Sequence, residues 1–265
     1  MLRISDLTCG YGMKIVLNNI NLEIGKGEFA GIIGPNGSGK TTLLKAVTRL
    51  VKPYKGKIFI EDKELYSIDH KEIAQKIAVV SQNLPTMSMT VREYVLLGRT
   101  PHYKNLQFFE NESDVEIAEH AMTMTDIIKL QDSYMSEISG GEIQLALIAR
   151  ALAQEPWMLL LDEPTAHLDI THQVNVLDLI RRLNKEYGLT VIIVLHDLNL
   201  ASAYCDRLIL MDNGRIKKIG TPEEVLNYAD IEEVYKTVVV VEKNPVSLKP
   251  FVIVVPEEVK KNCRR

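Results

Sequence analysis

Residues 34 to 41 read Gly34-Pro35-Asn36-Gly37-Ser38-Gly39-Lys40-Thr41, with Thr42 next. The stretch matches G-x-x-x-x-G-K-[ST], and its surroundings suit that reading. Before it, the apolar run Phe29 to Ile33 has the length of a buried strand. After it, Thr42 to Leu50 reads as a helix with Leu43, Leu44 and Val47 on one side. Glycines let the backbone bend until its N–H groups face a phosphate. The N-terminus of the following helix adds roughly half a positive charge. Lys40 reaches the β- and γ-phosphates as a point charge, and Thr41 offers a hydroxyl to Mg²⁺. Strand, glycine-rich loop and helix in this order point to an α/β fold.

Outward from the loop, the same texture recurs. Leu2 to Leu7, Ile15 to Ile24 and Ile58 to Ile60 carry apolar residues at strand spacing, which predicts a β-rich N-terminal portion. After Gln82 the pattern turns helical. Thr90-Val91-Arg92-Glu93 is a capping-box pattern, and Gly98 is the expected stop of the helix it starts. A second helix is expected from Ser113 to Leu130. Residues 84–153 thus read as a helical lobe inserted into the core. Met158 to Leu161 and Thr190 to Leu195 read as buried strands, with a helix from Thr171 to Tyr187 between them. Apolar strands alternating with helices imply a parallel sheet with covered faces. Leu208 to Met211 and Arg215 to Ile219 flank Asp212-Asn213-Gly214, a hairpin signal. The expected division is 1–236 for the main domain and 237–265 for a short β-hairpin tail, from Val238 to Val241 and Phe251 to Val255.

Leu159-Leu160-Leu161-Asp162-Glu163 is an apolar strand ending in two carboxylates. Ligands sit at the C-terminal ends of such strands. Asp162 can hold Mg²⁺ through water, and Glu163 can polarise an attacking water as general base. Ser139-Gly140-Gly141-Glu142 stands just before a helix containing Leu147, Ile148, Ala151 and Leu152.

With this second motif in place the chain resembles the ABC ATPases, across residues 11 to 196 and in family order. Ile138 to Glu142 resembles their LSGGQ signature, with Ile138 in place of Leu. Ile143 and Leu145 stand where many cassettes have Arg or Lys. Gln82 resembles the Q-loop glutamine, Ala166-His167-Leu168-Asp169 the D-loop, His196 the H-loop histidine, and Tyr11 the aromatic that stacks on adenine. The resemblance implies a P-loop (RecA-like) core, an N-terminal antiparallel β subdomain and an inserted helical subdomain. It implies Gly34 to Thr42, Tyr11, Ser139 to Glu142, Asp162 and Asp169 at the nucleotide, and Glu163, His196 and Gln82 in catalysis. Thr41, Gln82 and Asp162 would hold Mg²⁺. It further implies a head-to-tail homodimer with ATP between the phosphate loop of one copy and Ser139 to Gly141 of the other.

Thr90 to His102 resembles the segment after the Q-loop in importers for iron–siderophore, haem and cobalamin. The family implication is an importer motor on the cytoplasmic face of the membrane. A separate integral-membrane permease and, indirectly, an extracytoplasmic substrate-binding protein are its partners. Family members dock the permease against the segment Asn83 to His102, where Leu84, Met87 and Met89 are candidate anchors. A helix packed on its own lobe is the other reading of that segment. Importers of other small solutes and a soluble iron–sulfur assembly ATPase remain alternatives.

Composition fits this picture. The net charge is −4 with no long basic run, so no nucleic-acid footprint is indicated. Cys9, Cys205 and Cys263 are few and far apart, which suits reduced thiols rather than a disulfide framework. No apolar run nears the ~20 residues that span a bilayer. His167 and His172 lack a third ligand nearby in sequence and are not read as a metal site.

Overall fold

The computed structural model describes residues 1–81, 88–104, 109–256 and 258. The chain divides into two compact units, Met1–Leu65 with Ile192–Arg265, and Tyr66–Val191. Each is described by itself.

In the first unit, β1 (Leu2–Tyr11) pairs antiparallel with β2 (Lys14–Ile24), so that Leu2 faces Ile24 and Ile4 faces Leu22. Strand β3 (Phe29–Ile33) is buried at every residue, and α1 (Lys40–Val47) follows the glycine-rich loop. Strand β4 (Pro53–Ile60) covers the other edge of β1, and the short β5 (Lys63–Glu64) closes that sheet. Leu2, Ile4, Leu22, Ile24, Ile58 and Ile60 are buried, the period of two expected of a half-covered sheet. Helix α1 begins at Lys40 and ends at Val47, earlier than the expected Leu50. Arg49 has a φ of 62°, a left-handed residue that ends the helix.

The second unit opens with α2 (His70–Lys76) and β6 (Ile77–Val80), then α3 (Val91–Leu96), α4 (Glu112–Met124) and α5 (Gly140–Ala153). The capping box at Thr90 is formed: Glu93 N donates to Thr90 Oγ1 at 3.2 Å, and Thr90 N donates to Glu93 Oε2 at 2.7 Å. The α-helix ends at Leu96, directly before Leu97 and the expected stop Gly98, and the chain continues to turn as a 3-10 segment from Leu97 to His102. Gly98 is needed there for room: a Cβ would stand 2.2 Å from Arg150 O. The helix expected from Ser113 to Leu130 is also interrupted. Thr125 caps it by donating from Oγ1 to Ala121 O at 3.0 Å, Asp126 turns left-handed, and only a 3-10 turn covers Ile128–Leu130. Strand β7 (Met158–Asp162) lies parallel to β6, with Ile77 facing Met158 and Val80 facing Leu161. Helix α6 (Ile170–Tyr187) buries Val176, Leu177, Ile180 and Leu183, and ends at left-handed Gly188.

Strand β8 (Thr190–Val194) leads back into the first unit, where α7 (Leu198–Tyr204) follows it. There β9 (Arg207–Asp212) runs parallel to β3, with Ala30 facing Arg207 and Ile33 facing Leu210. Strand β10 (Arg215–Gly220) pairs antiparallel with β9 through a turn in which Asn213 and Gly214 have φ of 46° and 74°. Two positive φ values are what a tight hairpin of matching twist requires. Short helices α8 (Pro222–Val225) and α9 (Tyr228–Tyr235) precede the hairpin β11 (Val239–Lys243) and β12 (Pro250–Val254). Among the described residues no helix is long and apolar enough to cross a membrane.

Candidate nucleotide site

The sequence-identified residues fall into two sets. The first unit holds Tyr11, the loop Gly34 to Thr42 and His196. The second holds Ser139 to Glu142, Asp162, Glu163 and Asp169. Gln82 lies outside the described residues, as do Leu84 and Met87.

In the first unit the loop leaves the buried end of β3 and returns as α1. Gly34 sits so close to β9 that a Cβ would stand 2.2 Å from Met211 O. Ser38 N donates to Pro35 O at 3.2 Å, and Ser38 O accepts from Gly214 N at 3.0 Å, so the β9–β10 turn braces the loop. Lys40 is 5% exposed. Its ammonium donates to Gly34 O at 2.9 Å and Pro35 O at 3.0 Å, folded back over its own loop. Helix α1 starts from left-handed Gly39 with no side-chain cap and no acidic residue in its first turn. A cation held inside a curl of backbone, at a helix N-terminus without a capping carboxylate, fits a polyphosphate. Thr41 stands in that first turn. Its hydroxyl is an oxygen donor of the hard type that Mg²⁺ takes. Among the described residues no group of three or more His, Cys, Asp or Glu could hold a metal ion alone.

Tyr11 ends β1 and is 50% exposed, offering a ring face at the β1–β2 turn. Tyr54 Oη donates to Gly12 O at 2.8 Å and fixes that turn. His196 follows β8 and is exposed. Asp197 next to it caps α7, accepting from Asn199 N at 2.7 Å and Leu200 N at 3.0 Å.

In the second unit Asp162 ends β7, and Glu163 follows it with a φ of 55°. A non-glycine residue held left-handed carries strain that clusters at functional sites. Ser139 caps α5 in a full capping box. Its N and its Oγ both donate to Glu142 Oε2 at 2.7 Å. The Ser139 hydroxyl and then its backbone N–H hold the Glu142 carboxyl below its ordinary range. The cap is therefore ionised at neutral pH and is lost only as pH falls through that lowered value.

The signature also touches α6, the helix that the D-loop starts, which the sequence did not suggest. Asp169 caps α6, accepting from His172 N at 2.8 Å, and its Oδ1 lies 2.8 Å from His172 Nδ1. The His172 ring rests on Gly141, where a Cβ would stand 2.1 Å from His172 Cδ2. A Cβ on Gly140 meets nothing within 4 Å. Gly141→Ala must therefore push His172 off Asp169 or strain the first turn of α5, at a cost of about 1 kcal/mol or more. Its melting temperature is expected to fall about 2–4 °C, whereas Gly140→Ala should hold or gain. Thermal melts in which both variants shift alike would remove His172 from this contact.

The 3-10 segment Leu97–His102 is tied down on several sides. Arg99 Nε donates to Asp114 Oδ1 at 3.1 Å, and its Nη1 donates to Ala153 O and Glu155 Oε2, both at 2.7 Å. The Arg99 and Asp114 side chains are each 6% exposed. His102 Nε2 lies 2.9 Å from Gln154 O, and Gln75 Nε2 donates to Pro101 O at 2.9 Å. Arg150 Nη2 donates to Val79 O at 3.0 Å. The C-terminal end of the signature helix is thus joined to the strand before Gln82 and to the segment after it.

Comparison with known proteins agrees with this geometry. The model of a family described as "ABC transporter" matches residues 17–166. The chain is 41% identical over 253 residues to the ferric enterobactin transport ATP-binding protein FepC of Escherichia coli strain K12, covering 95% of this chain and 93% of that protein. It is 41% identical to the ABC transporter ATP-binding protein YvrA of Bacillus subtilis strain 168, over 97% of this chain but only 58% of that longer protein. Among solved structures it is similar to an ABC transporter described as of the metal-chelate type in an inward-facing conformation. The TM-score is 0.85 at 25% identity, covering 97% of this chain and 98% of the other.

Proposed function

This chain belongs to the ABC transporter family, and from that membership we propose that it is the ATP-hydrolysing subunit of an importer for a metal chelate. The observation that carries the reading is Lys40, fastened within the phosphate loop at an uncapped helix N-terminus, on the same chain as a signature helix capped by Ser139. The cargo class follows the name of FepC and the resemblance of the segment after Gln82.

In this reading the backbone N–H groups of Gly37 to Thr41 cradle the phosphates, and Lys40 leaves the loop carbonyls for the β- and γ-phosphates. Tyr11 stacks on the adenine. Thr41, Gln82 and Asp162 would hold Mg²⁺, which supplies charge neutralisation at the phosphates when bound. Glu163 takes the proton of the attacking water, and His196 orients the γ-phosphate. Ser139 to Gly141 of a second copy close the site, so ATP joins two subunits and hydrolysis parts them. The subunit works at the cytoplasmic face of the membrane, with integral-membrane permease subunits and, through them, an extracytoplasmic substrate-binding protein. Asp169 stands beside the signature at the dimer face.

The permease docks near Gln82 and the segment Asn83 to His102, with Leu84 and Met87 as apolar anchors. Buried apolar and aromatic residues dominate most interfaces. Leu84→Asp and Met87→Asp subunits, reconstituted with the permease in liposomes, are expected to keep their own ATP hydrolysis. They should lose stimulation by the permease and uptake of the chelate. Normal uptake by both variants would remove the docking site from this segment. Wild-type protein that binds no multi-span permease would replace the importer with a soluble ATPase.

A further inference from the structure

The C-terminal part of the first unit reaches the nucleotide loop. Tyr235 ends α9, and its hydroxyl oxygen is buried with no hydrogen-bond partner. That oxygen faces the backbone N–H of Gly34, the first residue of the phosphate loop, close enough to feel it but short of hydrogen-bond geometry. The Ser38 hydroxyl is likewise buried without a partner, and lies 2.9 Å from where a Gly34 Cβ would stand. Two buried hydroxyls therefore converge on one residue, Gly34, whose carbonyl is held by Lys40 at 2.9 Å. Buried polar groups are nearly always paired, so each exception calls for a reason.

The tail that follows Tyr235 is itself anchored beside His196. Glu232 Oε1 on α9 accepts from Val239 N at 3.0 Å, joining the helix to β11. On β12, Val252 N donates to Asn199 Oδ1 at 2.7 Å and Val252 O accepts from Asn199 Nδ2 at 3.2 Å. Ser202 Oγ donates to Pro250 O at 2.7 Å. Both anchors sit on α7, the helix that starts just after His196. Between the tail, α9 and the start of α7 lies a cavity of about 320 Å³, lined by His196, Asp197, Ile231, Tyr235, Val252 and Val254. The tail is thus seated beside His196 and α7, with room left for adjustment.

We propose that Tyr235 is a positioning residue of the nucleotide site, whose hydroxyl accepts the Gly34 N–H when Lys40 leaves Gly34 O for the phosphates. The proposal rests on the reading that this loop binds ATP. Lys40 now restrains Gly34 through its carbonyl. Once the ammonium swings to the phosphates that restraint on the residue is released, and a glycine, free to change φ and ψ on either side of its Cα, can settle its N–H against the phenol. The oxygen exchanges no proton in this step. Burial pushes the Tyr235 phenol up to about 12, so the group stays neutral throughout.

Tyr235→Phe tests this, because it removes the oxygen and keeps the ring. The Kd for ATP without Mg²⁺ and the KM for ATP should each rise about fivefold, the worth of one ordinary hydrogen bond. The kcat should stay within about twofold, and thermal stability should not fall, since an unpaired buried hydroxyl has been deleted. A second measurement needs no variant to fold well: amide exchange at Gly34 in the wild-type chain should slow when ATP is added. In Tyr235→Phe that protection should be smaller. Equal Kd, equal KM and equal Gly34 protection in the two proteins would overturn the proposal. So would a wild-type Gly34 amide that ATP leaves unprotected. A wild-type chain that binds no ATP at all would instead sink the ATPase reading on which it stands.

Discussion

Lys40→Ala is expected to lose ATP hydrolysis by about a hundredfold or more, the usual cost of deleting one charge aimed at a developing negative centre. The variant should also bind ATP more weakly. Two effects combine. The ammonium is the cation of the loop, and it also fastens Gly34 O and Pro35 O at 2.9 and 3.0 Å. Its removal takes the charge from the phosphates and loosens the curl that presents the N–H groups. Lys40→Met loses both together but keeps the apolar stem, so it sets them apart from simple loss of packing. Phosphate release and ATP titration on both variants are the measurements. Steady-state activity at the wild-type level in Lys40→Ala would end the assignment of this loop to ATP.

Glu163→Gln should have the second largest effect, and of a different kind. It should bind Mg·ATP as the wild type does yet turn it over about 10²- to 10⁴-fold more slowly, the typical contribution of a general base. ATP held without cleavage should then accumulate the closed homodimer, visible by size-exclusion chromatography with and without ATP. The left-handed backbone of Glu163, at φ 55°, makes the identity of the side chain the variable and its placement the constant. Gln keeps the shape and loses the basicity. An unchanged turnover would move the base elsewhere, with His196 the first place to look.

What was legible in the sequence was what neighbouring residues decide among themselves. The strand Phe29–Ile33 stands at its expected residues, and the Asn213–Gly214 turn forms as its sequence asks. The capping boxes at Thr90 and Ser139 depend only on residues three apart. The failures share a cause, which is contact across long sequence separations. The α-helix does end beside Gly98, but the reason for a glycine there was hidden, because the atom it makes room for is Arg150 O. The break after Met124 is held from afar, since Arg182 Nη2 donates to Met124 O at 2.9 Å just before Asp126 turns left-handed. Nothing near Tyr235 in sequence marks it, because its neighbour Gly34 is at the other end of the chain. His172 carried a faint signal, as it stood beside the D-loop motif, but its contact with Gly141 belongs to the packing of α6 on α5.

The pair Arg99 and Asp114 restricts how this protein can drift over generations. Both side chains are buried, and Arg99 reaches Ala153 O and Glu155 as well. Losing Arg99 alone leaves the Asp114 carboxylate out of water without its cation, at about 3–5 kcal/mol, against a total margin on the order of 5–15 kcal/mol; losing Asp114 leaves Arg99 only the half-exposed Glu155. Exchanging both for well-packed apolar residues is often close to neutral. The two positions are therefore locked by the path between solutions rather than by the merit of the present one. Lineages that carry this pair should keep it whole or replace it whole, and a chain with only one half should be rare.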